Sequence, residues 1–393
     1  MTILETGANP SYVLISPNFF SRPRFWSTVW TLSITGRGWA ENTLKTRLRN
    51  IDRFYEHCDK KFGMNALDCA LGDANAPLVH CMVDDFYIEL TSNEKYTTTD
   101  VQCWDDVRTF VLHFGRYWSV GSDEWRAFVG AMKGTGRLRS PKRGRIKFAR
   151  ALPEITLSEL LEVAQPGSTR NPFVSPAIQQ RNWLALLLML LCGLRRGEAL
   201  LLTVDSLRQG IDQHSGEIKY WLDVISTGDD DIRTTRPSIK TSESNRQIPL
   251  SADLAILIEQ YIAEYREDDE KHRFLLTSDE GKALSAESIN KVLVGLSKAI
   301  SSSALERFKE RTGGKKHISP HDLRHTCATV RYGLFMAVDS NRDLAMQRMR
   351  AFFGWAIESD MPLIYARAAI QEDLLKSWSD LFDQRVSAMR GKQ

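Results

Sequence analysis

Residues 183–202 read WLALLLMLLCGLRRGEALLL, an apolar run followed at once by two arginines and a glutamate. The run from 183 to 194 has 12 residues, whereas a membrane span needs about 20. It therefore predicts a buried core helix that ends at Gly193. Arg195, just beyond it, could hold a phosphate with its planar, bidentate donors. It could equally be a helix-terminal cation favoured by the helix dipole.

The part of the chain before this core is patterned as helices. Apolar residues recur at helical spacing over residues 42–62, and further helical stretches cover roughly 77–91 and 98–118. No strand alternation competes with them. The chain up to about residue 130 is therefore predicted to be mostly helix.

A basic segment separates the two halves of the chain. Residues 133–150 contain eight Lys or Arg and no acid, and their glycines and proline disfavour a helix. One interpretation is a solvated linker. The other is a linker laid along phosphates, because a basic segment without acids gains affinity by releasing counterions. We expect residues 1–132 to form a helical domain, 133–150 an interdomain linker, and 151–393 a second domain.

The second half mixes helices with a small sheet. Thr156 to Glu159 is a capping-box pattern that opens a helix through about Val163. A strand-rich patch leads into further helical stretches. The predicted strands cover 220–226, 232–240 and 245–250, and the helices cover 252–266, 286–301, short pieces from 320 onward, and 369–389. The fold class is thus mainly α with a small antiparallel β-sheet, an α+β arrangement.

Composition narrows the class of protein. A chain of 393 residues favours two domains, and 42% hydrophobic with 26% charged residues is typical of a soluble globular protein. The net charge of +3 does not by itself indicate a nucleic-acid binder. Six cysteines without a Cys-x-x-Cys pair favour reduced thiols in a cytoplasmic protein. The start lacks the basic-then-apolar order of a signal peptide.

Three further patterns follow Arg195 in order. Lys240 ends a predicted strand, where a lysine is usually only solvated. The motif His-Asp-Leu-Arg-His at 321–325 puts its first histidine and its arginine on one helix face at i, i+3. That pair suits a phosphate better than a metal, although both could be surface polar residues. Phe-Gly-Trp at 353–355 is followed ten residues after its tryptophan by Tyr365, and each aromatic could be ordinary packing.

In this order the patterns resemble those of the tyrosine recombinase (phage integrase) family. The family shows a Gly-Leu-Arg-x-x-Glu box, a hairpin lysine, a His-x-x-Arg box, a Leu-Gly-His or Gly-Trp element, and a tyrosine shortly afterwards. The resemblance covers nearly the whole chain, with a core-binding domain before the linker and a catalytic domain after it, as a two-domain DNA clamp. It implies these catalytic residues: Arg195, Lys240, His321, Arg324, Trp355 and Tyr365. The chain departs from the pattern in having Trp for the more usual His, and a slightly longer Trp-to-Tyr interval.

The resemblance implies transfer of DNA strands through a tyrosine. Tyr365 would be the nucleophile that forms a 3′-phosphotyrosyl bond, and His321 could accept its proton. Arg195 and Arg324 would hold the non-bridging oxygens, with Trp355 donating to one of them.

Two further roles concern the leaving group and the arrangement of the site. Lys240 would protonate the departing 5′-oxygen, and Glu198 would orient His321 or an arginine. Because the bond energy is stored in the covalent link, no ATP, cofactor or metal is expected.

The implied partner is double-stranded DNA. Recombination further implies a homo-oligomer, a dimer on one site and a tetramer in the synapse, with or without a helper recombinase or accessory protein, and no membrane. The apolar positions of the stretch 369–389 could pack on their own domain or dock on a neighbouring protomer. The candidate DNA contacts lie on the first long helix and on the linker: Lys45, Arg47, Arg49, Arg53, Arg137, Arg139, Lys142, Arg143, Arg145 and Lys147.

Three alternatives remain open. A type IB topoisomerase would keep the chemistry but relax DNA as a monomer. A non-catalytic DNA-binding protein of the same fold would have lost the strand-transfer chemistry. The complete set of candidate residues argues against this alternative. A helical interaction module without DNA leaves the basic linker unexplained. Within the recombinase interpretation, the long hairpin and chain length favour a mobile-element integrase.

Overall fold

A computed structural model describes the following residues: 3–5, 12–16, 22–33, 38–92, 96–134, 138, 151–225, 233, 244–267, 272–367 and 370. The chain divides into two compact units, Met1–Ile146 and Lys147–Gln393. The division falls inside the basic stretch 133–150, most of which lies outside the described residues. The predicted strand 232–240 and most of the C-terminal stretch 369–389 also lie outside them.

The first unit is built from helices. They are α1 (Phe25–Leu32), α2 (Glu41–Phe62), α3 (Ala66–Gly72), α4 (Ala76–Thr91), α5 (Thr98–Trp118) and α6 (Asp123–Gly134). α2 buries the apolar stripe that predicted it, including Leu48, Ile51 and Tyr55. Two short antiparallel strands, β1 (Ile3–Glu5) and β2 (Tyr12–Leu14), precede the helices. The sequence analysis missed this pair because three-residue strands are too short to show an alternating pattern.

The second unit combines helices with a three-stranded sheet. Its helices are α7 (Glu154–Ala164), α8 (Pro176–Leu191), α9 (Arg196–Leu201), α10 (Ala252–Gln260), α11 (Ala286–Ala299), α12 (Ser302–Thr312), α13 (Pro320–Val338) and α14 (Arg342–Phe353). The antiparallel strands are β3 (Leu207–Ile211), β4 (Ile218–Val224) and β5 (Arg246–Leu250), in the order β3-β4-β5. Residues 361–367 are also helical. The predicted fold class, mainly α with a small antiparallel sheet, is confirmed.

The apolar helix α8 lies in the core of this unit, as its sequence predicts. Leu184, Leu186 and Leu188 are almost completely buried. The helix ends at Leu191, and Gly193 then adopts a left-handed conformation with φ of 59°. This turn directs the chain into Arg195 at the start of α9.

The capping-box prediction at Thr156 is wrong. α7 already begins at Glu154, so Thr156 lies inside the helix. Its hydroxyl donates to the carbonyl of Ala304 at 2.9 Å, and the Glu159 carboxylate accepts from the backbone N–H of Ser301 at 2.8 Å. Both side chains therefore bind a distant helix start instead of their own.

Other boundaries also differ from the prediction. The helix expected over 252–266 ends at Gln260 and continues as a π-helical turn, Tyr261–Tyr265. The helical pieces expected from Pro320 onward are the 19-residue α13, then α14, then the helical residues 361–367. β3 was missed because exposed and half-buried residues do not alternate along it.

The described residues were also compared with what a disulfide, a membrane span or a metal site would require. All six cysteines are free thiols, four of them buried. None of the helices in the described ranges is both long and apolar enough to span a membrane. The described residues also contain no group of three or more His, Cys, Asp or Glu side chains that could hold a metal ion.

Gly193→Ala should destabilise the second unit more than Gly167→Ala does. Both glycines have positive φ, 59° and 77°, which costs an alanine on the order of 1 kcal/mol. A Cβ on Gly193 would also lie 2.3 Å from Phe353 Cε1 and 3.1 Å from Cys327 Sγ, whereas one on Gly167 meets nothing within 4 Å. We expect an extra loss of about 1–3 kcal/mol for Gly193→Ala in urea unfolding. Equal losses for the two variants would contradict the packing argument.

Candidate active site

Arg195 is fixed at the first turn of α9 by Glu198. The backbone N–H of Arg195 donates to Glu198 Oε2 at 2.9 Å, and its Nη1 donates to Oε1 at 2.5 Å. Nη1 also lies 3.5 Å from the hydroxyl of Ser244. The Arg195 side chain is 32% exposed, so donors of this guanidinium remain within reach of a ligand.

Glu198 is a buried carboxylate surrounded by guanidinium groups. Its side chain is only 1% exposed, and Oε2 accepts from Arg246 Nη2 at 3.0 Å and from Arg324 Nη1 at 3.4 Å. Burial alone would raise the pKa of Glu198, but the charges of Arg246 and Arg324 outweigh it and hold the pKa below its usual value. Glu198 is therefore ionised at neutral pH and contacts the guanidinium groups of all three arginines, Arg195, Arg246 and Arg324.

Arg324 points into the protein. Its Nη1 donates to the carbonyl of Gly193 at 2.5 Å, and its Nη2 donates to the carbonyl of Phe353 at 2.8 Å. The guanidinium also lies over the rings of Phe353 and Trp355, at 5.0 and 5.7 Å from their centroids. Burial lowers the pKa of Arg324 to about 9, which shows how far this cation is removed from water.

The helix α13 carries the His-x-x-Arg box and a second histidine. It begins with a capping box between Ser319 and Asp322. His321, one residue into the helix, is exposed, whereas Arg324 is 3% exposed. His325 follows His321 at i+4, and their rings meet edge to face with centroids 4.2 Å apart.

Tyr365 lies within this cluster. Its hydroxyl is 2.7 Å from His325 Nδ1. Its ring stacks on Trp355 with centroids 5.5 Å apart and planes 6° apart, and Trp355 in turn stacks on Phe353. Burial raises the pKa of Tyr365 to about 12, against the opposing charges of Arg324 and Arg195. The phenol is therefore protonated at neutral pH.

The structure brings together most of the predicted catalytic residues. Arg195 and Arg324 meet at Glu198, and Arg324 contacts Trp355, which stacks on Tyr365. His321 contacts the ring of His325, which in turn meets Tyr365. Lys240 lies outside the described residues.

Two residues of the cluster were not predicted. Arg246 opens β5 and links Glu198 to the carbonyls of Phe352 and Ser244, both at 2.8 Å. A cation at a strand end is usually solvated, so its sequence carried no signal. His325 was visible as the last residue of the motif at 321–325, but the sequence does not show what faces it.

The candidate DNA contacts of the first unit have partners within that unit. Lys45 pairs with Glu41 at 2.7 Å, Arg53 pairs with Asp100 at 2.7 Å, and Arg47 lies 4.2 Å from the ring centroid of Trp39. Arg49 is exposed. The linker candidates lie outside the described residues: Arg137, Arg139, Lys142, Arg143, Arg145 and Lys147.

Glu198→Gln should destabilise the protein strongly at neutral pH. Removing one partner of a buried ion pair costs about 3–5 kcal/mol, and here several guanidiniums share the carboxylate. Because the folded-state pKa is depressed, the stabilisation is present above the pKa of an ordinary glutamate, about 4.3, and is lost as the pH falls through the folded-state pKa. Urea unfolding of the parent protein and of Glu198→Gln between pH 7 and pH 3 measures how the free energy of unfolding of each depends on pH.

A matched control is Glu162→Gln. Glu162 pairs with Arg170 at 3.1 Å, but its side chain is 61% exposed. An exposed pair contributes about 0–1 kcal/mol, so this variant should unfold almost like the parent at every pH. A similarly small effect of Glu198→Gln would contradict the role assigned to the buried carboxylate.

Comparison with known proteins agrees with this geometry. Residues 158–332 match the phage integrase family. A search of curated proteins found no match.

Solved structures share 10–15% identity with the chain. The XerH site-specific recombinase bound to palindromic difH substrate has a TM-score of 0.48 at 15% identity, over 91% of this chain and 85% of that one. The Tn1549 transposon integrase (82–397) with circular intermediate DNA has a TM-score of 0.48 at 14% identity, over 89% of this chain and 98% of that one. The lambda integrase (75–356) bound to DNA has a TM-score of 0.46 at 10% identity, over 87% of this chain and 96% of that one.

These TM-scores are below 0.5, so the comparison rests on the sequence match of residues 158–332. The matched segment includes Arg195, Glu198, His321 and Arg324. Residues 158–332 of this chain therefore resemble the phage integrase family.

Proposed function

We propose that this protein cuts and rejoins double-stranded DNA at specific sites through a covalent 3′-phosphotyrosyl link to Tyr365, on behalf of a mobile genetic element. The observation that carries the proposal is the placement of Tyr365. Its phenol is hydrogen-bonded to a histidine and belongs to the same cluster as Arg195 and Arg324. A nucleophile beside two guanidiniums is the arrangement that phosphoryl transfer requires.

The arginines would hold the scissile phosphate. Three guanidiniums, those of Arg195, Arg246 and Arg324, share one carboxylate, Glu198. The cluster therefore has a formal charge of +3 − 1 = +2. A phosphodiester anion placed there would offset part of that charge, and the charge that develops in the transition state would offset more. Arg195 is the most accessible donor of the three.

The remaining steps use other predicted residues. Trp355 would donate its indole N–H to a non-bridging oxygen, and His321, exposed at the start of α13, would lie on the solvent side of the phosphate. Lys240 would protonate the departing 5′-oxygen. Rejoining reverses these steps with a 5′-hydroxyl from another strand.

DNA binding would rest mainly on charge. The basic linker 133–150 and the exposed Arg49 would contact phosphates, which position the protein without reading sequence. The two domains predicted from the sequence, residues 1–132 and 151–393, would act as a DNA clamp in the cytoplasm. Two protomers would bind one site and four would form a synapse, with or without a helper protein.

The proposed nucleophile can be tested by trapping. The protein is incubated in EDTA with nicked double-stranded DNA from the borders of its own element, selected by gel shift. We expect a covalent adduct on a denaturing gel, which Tyr365→Phe abolishes. Tyr332→Phe is the matched control, because Tyr332 is also a buried tyrosine of the same unit.

Other outcomes point to other functions. An adduct in Tyr365→Phe moves the nucleophile elsewhere, and no adduct on DNA that the protein binds favours a non-catalytic DNA-binding protein. Relaxation of a plasmid without any border sequence identifies a type IB topoisomerase activity. A reaction that EDTA stops contradicts the metal-free chemistry.

The linker should contribute to the salt dependence of binding. Replacing Arg137, Arg139, Lys142 and Arg143 by alanine should weaken binding to all duplexes alike and reduce the slope of log K against log salt by up to about 4. Fluorescence anisotropy from 50 to 300 mM salt, roughly the range where counterion release is steep, measures this.

The control for the linker variant replaces four cations that already have exposed carboxylate partners, namely Lys219, Lys282, Lys291 and Arg307. This variant removes the same formal charge and should keep the slope. An unchanged slope for the linker variant would mean that the basic segment is only a solvated linker.

A further inference from the structure

We propose that His325 is the proton acceptor for Tyr365 and therefore a further catalytic residue, distinct from the histidine of the His-x-x-Arg box. The inference rests on the proposed function and names the group that activates its nucleophile. It also leaves His321 available for the phosphate or the leaving group.

The geometry that carries the proposal is a direct contact with the reacting atom. His325 Nδ1 lies 2.7 Å from the Tyr365 hydroxyl, within the range required of a general base. A neutral imidazole that accepts at Nδ1 carries its proton on Nε2. The His325 ring is half-buried, and Tyr365 is 1% exposed, so water has little access to the shared proton.

The position of His325 is fixed from two sides. It lies in the second turn of α13, one residue after Arg324, whose guanidinium is held by two carbonyl groups. The ring of His321 contacts its edge at a centroid distance of 4.2 Å, and the ring of Tyr365 lies at 5.5 Å. The acceptor is therefore part of the same rigid helix as the phosphate-holding arginine.

The electrostatics of the site create a need for such an acceptor. Burial raises the pKa of Tyr365 to about 12, so only about one molecule in 10⁵ would carry a phenolate at pH 7 without help. Arg324 and Arg195 lower the pKa but do not overcome the burial. A base in contact with the hydroxyl removes the proton as the oxygen attacks, without requiring a free phenolate.

The proposed step balances as follows. The Tyr365 oxygen forms a bond to phosphorus while its proton moves to His325 Nδ1, and the bond between phosphorus and the 5′-oxygen breaks. The departing oxygen takes a proton from a different group, proposed above to be Lys240. In the reverse reaction a 5′-hydroxyl attacks the phosphotyrosine, and His325 returns its proton to Tyr365. No oxidant, metal or other reactant is needed.

Two substitutions separate a base from a residue that only positions Tyr365. His325→Phe removes the acceptor, while His325→Asn retains an oxygen close to the position of Nδ1 but cannot take a proton at neutral pH. We measure single-turnover cleavage of the nicked border DNA, together with DNA affinity. Both variants should cleave about 10²–10³-fold more slowly than the parent, with affinity unchanged. His317→Asn, an exposed histidine upstream on the chain, is the matched control and should cleave normally.

A modified substrate distinguishes activation of the nucleophile from protonation of the leaving group. A DNA with sulfur in place of the bridging 5′-oxygen has a leaving group that needs no proton. We expect His325→Phe and His325→Asn to cleave this substrate as slowly as ordinary DNA, because their defect lies in the attack by Tyr365. Recovery on this substrate would place His325 on the leaving group and overturn the proposal. Recovery of normal rates in His325→Asn with ordinary DNA would reduce His325 to a positioning residue and also overturn it.

A measurement without DNA tests the hydrogen bond itself. The chain has eight histidines, so ¹⁵N-histidine NMR can resolve them, with His325→Asn assigning the resonance. We expect the Nδ1 resonance of His325 to show an acceptor and to shift in Tyr365→Phe. An unchanged resonance overturns the proposal even if the protein cleaves DNA. An adduct that persists in Tyr365→Phe instead overturns the proposed function, so the two failures are distinguishable.

Discussion

The buried carboxylate of Glu198 is the interaction on which the site depends. Taking an ion out of water costs several kcal/mol, and an unpaired one would not persist. Glu198 persists because Arg195, Arg246 and Arg324 surround it. In doing so it joins the start of α9, the start of β5 and the second turn of α13, which are far apart in the sequence. The same arginines also bind backbone carbonyls after α8 and at the end of α14. The arginines that pair with Glu198 therefore both supply the positive charge of the site and connect the elements of the second unit.

This charge alone does not prepare the nucleophile. The arginines lower the pKa of Tyr365, but burial raises it more, to about 12. A phosphodiester bound to those arginines adds a negative charge, which offsets part of their effect on the phenol. Substrate binding thus does not favour the phenolate, and the attack needs a local proton acceptor. In the proposed mechanism, Arg324 binds the anion, and His325, the next residue of α13, removes the proton.

The sequence predicted what local patterns determine. Helical periodicity located most helices of both units, and the ordered boxes located Arg195, Arg324 and Tyr365, which the structure brings into one cluster. What it missed depends on partners distant in the sequence. Arg246 became a site residue only through Glu198, 48 positions away, and His325 only through Tyr365, 40 positions away. Thr156 failed as a cap for the same reason, since its partner is 148 residues away. Spacing along a helix identifies a face, but not what that face meets. The catalytic and DNA-binding roles of all these residues, of the linker and of Lys240 remain predictions.

Trp355 contacts both Arg324 and the proposed nucleophile, Tyr365. Arg324 lies over its ring, and Tyr365 stacks on it with the planes nearly parallel. A parallel stack keeps most of its contact when one ring slides along the other, whereas a hydrogen bond is lost within about an ångström. Movement of Tyr365 toward a phosphate would therefore break the contact with His325 before it breaks the stack. Because the proton moves to His325 as the oxygen attacks, the proposed attack takes place before that contact is lost, while the tryptophan fixes the orientation of the phenol. A tryptophan at this position thus offers a flat surface for the nucleophile as well as a hydrogen-bond donor, and an imidazole would provide a smaller one.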